Sequence, residues 1–336
     1  MANCVVIVIC YDRPNEAAQL LKTLSESPVD APVDLIVSID RGRDQAQLAS
    51  VADSVDWPHG RKRVIVMPER LGLKAHVLRC GDLIGEYDYG IVLEEDLLLS
   101  HQALRYARHV VAEYRGQARI AGYSLYAYHK RESDKLPFTP IEDGTDACFA
   151  QFCSSWGQVW TREQWQGFRQ WLAENDADHF NDPAVPAFVN GWPASSWKKH
   201  FVRYMVRREL YFVFPRVGLS TNLGYEGTNH TGVHARFASP LLHGERTWVF
   251  PRLDDTALLY DADFRLGDAQ KVRFQRVMMC PDVASNFARQ GAAFFFAQFP
   301  LRAPFYLSLT ARAIVNDLGI LRSMALRWVR RRRGRS

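Results

Sequence analysis

Three adjacent carboxylates, Glu94, Glu95 and Asp96, follow the apolar run Tyr89-Gly90-Ile91-Val92-Leu93, and a second apolar run, Leu97-Leu98-Leu99, comes directly after them. Adjacent acids repel one another and cost desolvation energy wherever they are partly buried. A hard divalent cation, Mg²⁺ or Mn²⁺, held by one or two carboxylates together with substrate phosphates, removes that cost. The same triplet also reads as a solvated acidic turn after an edge strand. The residues around it decide between the two readings. Arg13, Asp40, Lys74 and His76 each fall just after an apolar run or at the start of a helical one. Together with the acids, an arginine, an aspartate and a basic helix start suit a nucleotide, with a base to hydrogen-bond and phosphates to neutralise.

The elements that must position these residues are legible over the first hundred positions. Val5–Cys10, Val33–Ile39, Arg63–Met67 and Tyr89–Leu93 are apolar runs of strand length, and such runs suit strands covered on both faces. Helical spacing separates them: Ala17, Leu20, Leu21 and Leu24 after Pro14, then Gln45–Ala52, then Leu71–Ile84. Alternating strands and helices predict an α/β fold with a mostly parallel, Rossmann-like sheet flanked by helices. Ligands of such sheets bind outside the carboxyl ends of the strands, where these residues lie. There is no G-x-G-x-x-G after the first strand and no G-x-x-x-x-G-K-S/T anywhere, which disfavours dinucleotide and P-loop readings.

Composition sets the remaining bounds. With 336 residues, 47% hydrophobic and 24% charged, the chain suits a globular protein with one large core or a core and a smaller lobe. The net charge of +5 is uneven: residues 322–336 hold seven arginines and no acid, leaving −2 for the rest. Six cysteines, none in a C-x-x-C pair, predict buried free thiols in a reducing compartment. Val5–Cys10 is too short for a signal peptide, and no window reaches 18 uninterrupted apolar residues, so neither a leader nor a membrane span is expected.

The motifs in sequence order resemble a GT-A glycosyltransferase: Y-D-R-P after the first strand, S-I-D at the end of the second, L-G-L-K before a helix, and E-E-D where a D-x-D belongs. Within that fold the chain is most similar to the inverting N-acetylglucosaminyltransferase I type and to related bacterial family 2-like sugar transferases. The resemblance covers about residues 4–232. It implies that Asp96 is the metal ligand for Mn²⁺ or Mg²⁺ and that Glu94 and Glu95 contact the donor's ribose or sugar. It also implies that Asp40 reads the nucleotide base, and that Arg13, Lys74 and His76 line the donor site. Ser154-Ser155-Trp156-Gly157 resembles a segment whose small residues approach the donor sugar, with Trp156 stacking on it. The segment Trp192–Trp197 matches one in which an aspartate following the tryptophan is the catalytic base. This chain has Lys198 and Lys199 there, and ordinary lysines are protonated at neutral pH. The base is therefore sought in Asp182, the preferred candidate, or in Glu226. The glycine-punctuated stretch Asn222–His230 resembles one that closes the donor site, with His230 facing metal or phosphate.

The expected organisation is a GT-A domain over 1–235, with a nucleotide-binding half (1–100) and an acceptor and sugar half (101–235), then a C-terminal extension over 236–336. Gly244–Leu266 reads as a loop-rich stretch packing on the core. Leu307, Ala311, Ile314, Leu318, Leu321, Ala325 and Trp328 give an apolar helical face ahead of the arginine cluster, which suits a peripheral anchor on an anionic membrane. The expected activity is transfer of a sugar, from a UDP-sugar, to a glycan or lipid-linked acceptor in bacterial surface polysaccharide assembly. The expected place is cytoplasmic, at the inner face of the cell membrane, with no nucleic-acid partner. The alternatives are a non-catalytic carbohydrate- or membrane-surface-binding protein with a degenerate site, and a sugar-phosphate nucleotidyltransferase. The latter lacks its usual glycine-rich loop.

Overall fold

The computed structural model describes residues 3–134, 136–176, 180–222, 238–256 and 258–266. The chain divides into two compact units, Met1–Gly267 and Asp268–Ser336. The expected apolar helix and basic tail lie outside the described residues, as do Glu226 and His230.

The first half alternates as the sequence predicts: β1 (Cys4–Cys10), α1 (Pro14–Glu26), β2 (Val33–Ile39), α2 (Gln45–Ser54), β3 (Lys62–Val66), α3 (Leu73–Asp82) and β4 (Tyr89–Glu94). Then come β5 (Leu97–Leu99), α4 (Ala103–Glu113), β6 (Ile120–Ser124), β7 (Ala147–Ala150), β8 (Gln158–Thr161) and α5 (Arg162–Asn175). The described elements end with α6 (Ala187–Asn190), α7 (Trp197–Arg207), β9 (Tyr211–Pro215), β10 (Ser220–Asn222) and β11 (Leu259–Tyr260).

One nine-stranded sheet has the order β11-β7-β9-β6-β8-β4-β1-β2-β3, and β5 and β10 form a separate two-stranded ribbon. β3, β2, β1 and β4 are mutually parallel, β8 runs antiparallel between β4 and β6, and β6 pairs parallel with β9. The fold is therefore α/β, with a mixed, mostly parallel sheet flanked by helices.

Every residue of β1 is buried, and alternate side chains serve opposite faces. Cys4, Val6, Val8 and Cys10 join the core beneath α1, α2 and α4, while Val5, Ile7 and Ile9 join the core beneath α3, α5 and α7. Two-sided burial explains why this strand reads as an uninterrupted apolar run. The second core is aromatic, centred on Trp160, Trp165, Phe201 and Phe212. α5 opens on a capping box in which the Thr161 hydroxyl accepts from the Gln164 N–H and the Gln164 side chain accepts from the Thr161 N–H.

Residues 238–256 and 258–266 belong to the first unit. β11 extends the sheet beside β7, and Leu253, Tyr260, Phe264 and Leu266 are buried. The five described cysteines are free thiols and buried. Among the described residues no helix is long and apolar enough to cross a membrane.

Candidate active site

The strand order reverses at β1, with β2 on one side and β4 on the other, and the carboxyl ends of β1 and β4 lie side by side. A switch of this kind opens a crevice for ligand. Ile9 pairs with Glu94, and the Glu95 N–H donates to Ile9 O at 3.1 Å, which ties the acidic turn to the end of β1. β1 gives way to Tyr11-Asp12-Arg13, and Pro14 at the first position of α1 fixes the exit. Arg13 thereby reaches the acids. Its Nη1 donates to Asp96 Oδ2 at 2.7 Å and stands 3.7 Å from Glu95 Oε1.

One guanidinium does not balance three carboxylates. Burial, then the charges of Asp96 and Glu95, push the Glu94 carboxyl well above the ordinary range, with Arg13 and Lys198 offsetting only part of the effect. Burial and the charge of Asp96 push Glu95 up to about 7. Asp96 Oδ1 is buried with no hydrogen-bond partner. A buried carboxylate oxygen left open beside two proton-holding glutamates fits a hard cation. Among the described residues no group of three or more ligating side chains converges. A cation on Asp96 would therefore complete its shell from a substrate, as Mg²⁺ commonly does with phosphate oxygens.

Asp40 follows β2 and is buried, and its carboxylate accepts from three backbone N–H groups: Arg41 at 2.8 Å, Leu71 at 2.9 Å and Gly72 at 3.0 Å. Expected as a base-reading group, it is already engaged in shaping the loop that leads into α3. Two residues on, Gly42 has no room for a side chain: a Cβ there would stand 2.2 Å from Asp12 Oδ1 and 2.9 Å from Tyr11 O. On the same rim the Arg70 guanidinium lies over the Tyr11 ring, 5.2 Å from its centroid. Tyr11 belongs to the Y-D-R-P motif, but Arg70 was not singled out from sequence, and their pairing across 59 positions leaves no local signal.

Lys74 and His76 part company. Lys74 Nζ donates to Asp176 at 2.6 Å, next to the C-terminus of α5, and lies 3.3 Å from His200 Nε2 on α7. His76 does not reach the crevice. It is buried, with Nε2 2.8 Å from Ser38 Oγ on β2, and burial pushes its pKa below the ordinary value. It shares the buried stripe of α3 with Val77 and Cys80, and the partner of its Nε2 is Ser38, where the sequence reading expected a phosphate.

Asp182 is also corrected. It accepts from Arg203 at 3.2 Å and from Arg207 at 2.7 and 2.5 Å, and its side chain is only 2% exposed. Burial works against ionisation, but these arginines and the Ala184 N–H outweigh it and hold the carboxyl below its ordinary range. A carboxylate clasped by two guanidiniums is a poor proton acceptor.

Trp156 is half-buried, and its ring meets that of Tyr126 edge-on at 4.8 Å. Gly157 follows at φ +92°, where a Cβ would also press on Ser220 and Leu125. The lysines at the start of α7 are buried and occupied. Lys198 Nζ donates to Glu132 at 2.5 Å and lies over the rings of Phe152 (4.6 Å), Trp192 (5.2 Å) and Trp156 (5.9 Å). Lys199 Nζ donates to the carbonyls of Asn190 and Trp192, both at 2.8 Å. The pairing of Lys198 with Glu132, 66 positions away, was not foreseen from sequence.

No family description matches the chain, and no curated protein matches it. Among solved structures it is similar to S. aureus TarS 1–349, at TM-score 0.42 and 13% identity over 65% of this chain and 59% of that one. It is similar to the same protein in complex with UDP-GlcNAc, at TM-score 0.42 and 12% identity over 67% of this chain and 59% of that one. The mannosyltransferase PcManGT from Pyrobaculum calidifontis in complex with GDP-Man and Mn²⁺ gives TM-score 0.40 and 13% identity over 64% of this chain and 57% of that one. The chain thus spans less than two thirds of each of these proteins. Likeness at this level is too distant to carry their activities over.

Proposed function

We propose that the chain is a metal-dependent glycosyltransferase of GT-A type that moves a sugar from a nucleotide-sugar, a UDP-sugar, to a glycan or lipid-linked acceptor. The observation that carries this reading is the convergence of Arg13 and Asp96 at the sheet's switch point, with one Asp96 oxygen buried and unpartnered. Asp96 would hold Mn²⁺ or Mg²⁺, which when bound supplies charge neutralisation for the leaving diphosphate. Arg13 is placed to take a phosphate oxygen once a cation relieves it of Asp96. Glu94 and Glu95, whose carboxyls burial and the neighbouring acids push above the ordinary range, are the groups that contact ribose or sugar hydroxyls. Asp40 acts on the base through the Leu71–Gly72 loop that it holds. Lys74 exchanges Asp176 for donor phosphate, and Trp156 stacks on the sugar. With Asp182 clasped by arginines, Glu226 is the better candidate for deprotonating the acceptor in an inverting transfer. His230, four positions further along the sequence, is the candidate to face the metal or a phosphate. The basic tail holds the enzyme at the cytoplasmic, anionic face of a membrane, where a bacterial surface polysaccharide is assembled.

One observation favours a second reading, a carbohydrate- or membrane-surface-binding protein without turnover. Where a catalytic carboxylate is expected, Lys198 and Lys199 are tied to Glu132 and to backbone carbonyls. Release of UDP from a panel of UDP-sugars with Mn²⁺, with and without membrane extract as acceptor, separates the two. Metal-dependent release supports the transferase, and UDP binding with no release from any sugar supports the binding protein.

A further inference from the structure

At the other end of the strands, a cleft of about 180 Å³ lies between α4 and the amino ends of β2 and β4, where Val33 and Tyr89 begin their strands. Tyr89 and Glu94 are five residues apart along β4, so the cleft is about 17 Å from the acidic cluster. Its floor is apolar: Val29, Pro32, Leu104, Val111 and Ala112. Its rim carries Arg105, Arg108 and Arg115; Leu104, Arg108, Val111 and Ala112 share one stripe of α4, and Arg115 lies in the turn just after it.

The three arginines are not equivalent. Arg105 is satisfied by Asp30 at 3.1 Å and Glu245 at 3.3 Å. Arg108 Nη1 is buried with no hydrogen-bond partner, and among the described residues neither Arg108 nor Arg115 forms an ion pair. Asp30, the one acid in the cleft, is taken by Arg105. A buried guanidinium nitrogen without an acceptor is costly, and a planar fork of N–H donors matches an oxyanion. The room available, about 180 Å³, admits a head group with a short alkyl stub and falls short of the ~300 Å³ at which ligand pockets begin.

We propose that this cleft binds a small amphiphilic oxyanion, an alkyl phosphate monoester whose head sits on Arg108 and Arg115 and whose first carbons lie on the apolar floor. The site is independent of the carboxyl-edge reading. Its ligand comes either from a free small phosphate ester or from the head group of a phosphatidate lipid.

Calorimetry on the full chain with n-butyl phosphate and with inorganic phosphate is the test, repeated on Arg108→Met and Arg115→Gln. We expect butyl phosphate to bind at least tenfold more tightly than inorganic phosphate, with at least a tenfold loss in R108M and a smaller loss in R115Q. Sedimentation with phosphatidylcholine vesicles, with and without phosphatidate, assigns the source. Phosphatidate-dependent binding weakened by R108M points to the lipid, and butyl phosphate binding with vesicle behaviour unchanged by R108M points to the free ester. No binding of butyl phosphate, or binding unchanged in R108M, overturns the proposal. R108M should also melt no lower than the parent; a fall of several degrees would mean that Arg108 is paired within the fold and would equally overturn it.

Discussion

The two ends of β4 carry opposite electrical faults. At the carboxyl end Glu94, Glu95 and Asp96 outnumber Arg13, and an Asp96 oxygen is left without a donor. At the amino end Arg108 and Arg115 outnumber the acids, and an Arg108 nitrogen is left without an acceptor. Elsewhere the same chain gives its buried or half-buried acids close partners. Asp182 holds Arg203 and Arg207, Asp34 holds Arg61 at 2.6 Å, and Lys198 holds Glu132. We take the two open clusters, at opposite ends of one strand, as places for a ligand of opposite sign. Uncompensated buried charge costs stability, and a ligand of opposite sign recovers it.

Substitutions sharpen this contrast because a closed cluster and an open one respond with opposite sign. The largest expected effect is at the closed cluster. Asp182→Asn leaves two guanidiniums without their carboxylate and should cost about 2–3 kcal/mol in urea unfolding at pH 7. Asp182 is held below its ordinary range in the folded state, so its contribution is present above pH ~4 and fades as pH falls further. The parent and D182N should therefore converge toward pH 3.

At the open acidic cluster the sign reverses. The folded protein keeps a proton on Glu94 that the unfolded chain has released, so metal-free stability declines as pH rises from about 4.5 toward 8. Glu94→Gln should raise metal-free stability at pH 8 by about 1 kcal/mol, with the gain shrinking toward pH 5. Destabilisation by E94Q at pH 8 would mean that the cluster is closed by a contact within the protein. The smallest effect is at the amino end, where R108M should change stability by less than about 1 kcal/mol and in the favourable direction. D182N lowering the melting point while E94Q and R108M raise it is the pattern that the contrast requires.

How much of this was legible depended on the reach of each signal. β1, β2 and β4 announce themselves because strands buried on both faces have few polar positions, and the acids end the last of these runs. The middle of the sheet was hidden. β7 and β8 are four residues each, and β8 carries Gln158 and Thr161, so neither stands out from its surroundings. Leu97–Leu99 stands out as a second apolar run, but nothing local shows that it leaves the main sheet to pair with Ser220–Asn222, a partner more than 100 positions away. Placing Asp40 at a strand end was correct, but nothing local indicates that its oxygens would be used by Leu71 and Gly72. His76 is different, because its place on the stripe of Val77 and Cys80 was available from spacing alone. Asp182 looked like a loop acid because Arg203 and Arg207 lie a full helix further on.

The account's central claim is that Asp96 anchors a cation and, through it, a nucleotide diphosphate. Isothermal calorimetry of the full chain with UDP, with and without Mn²⁺, on the parent and on Asp96→Ala tests it most directly. The account predicts UDP binding that requires Mn²⁺ and weakens at least a hundredfold in D96A, about 3 kcal/mol. Absence of binding by UDP, GDP, CMP or dTDP under any metal condition, or Mn²⁺-dependent binding left intact in D96A, would contradict it.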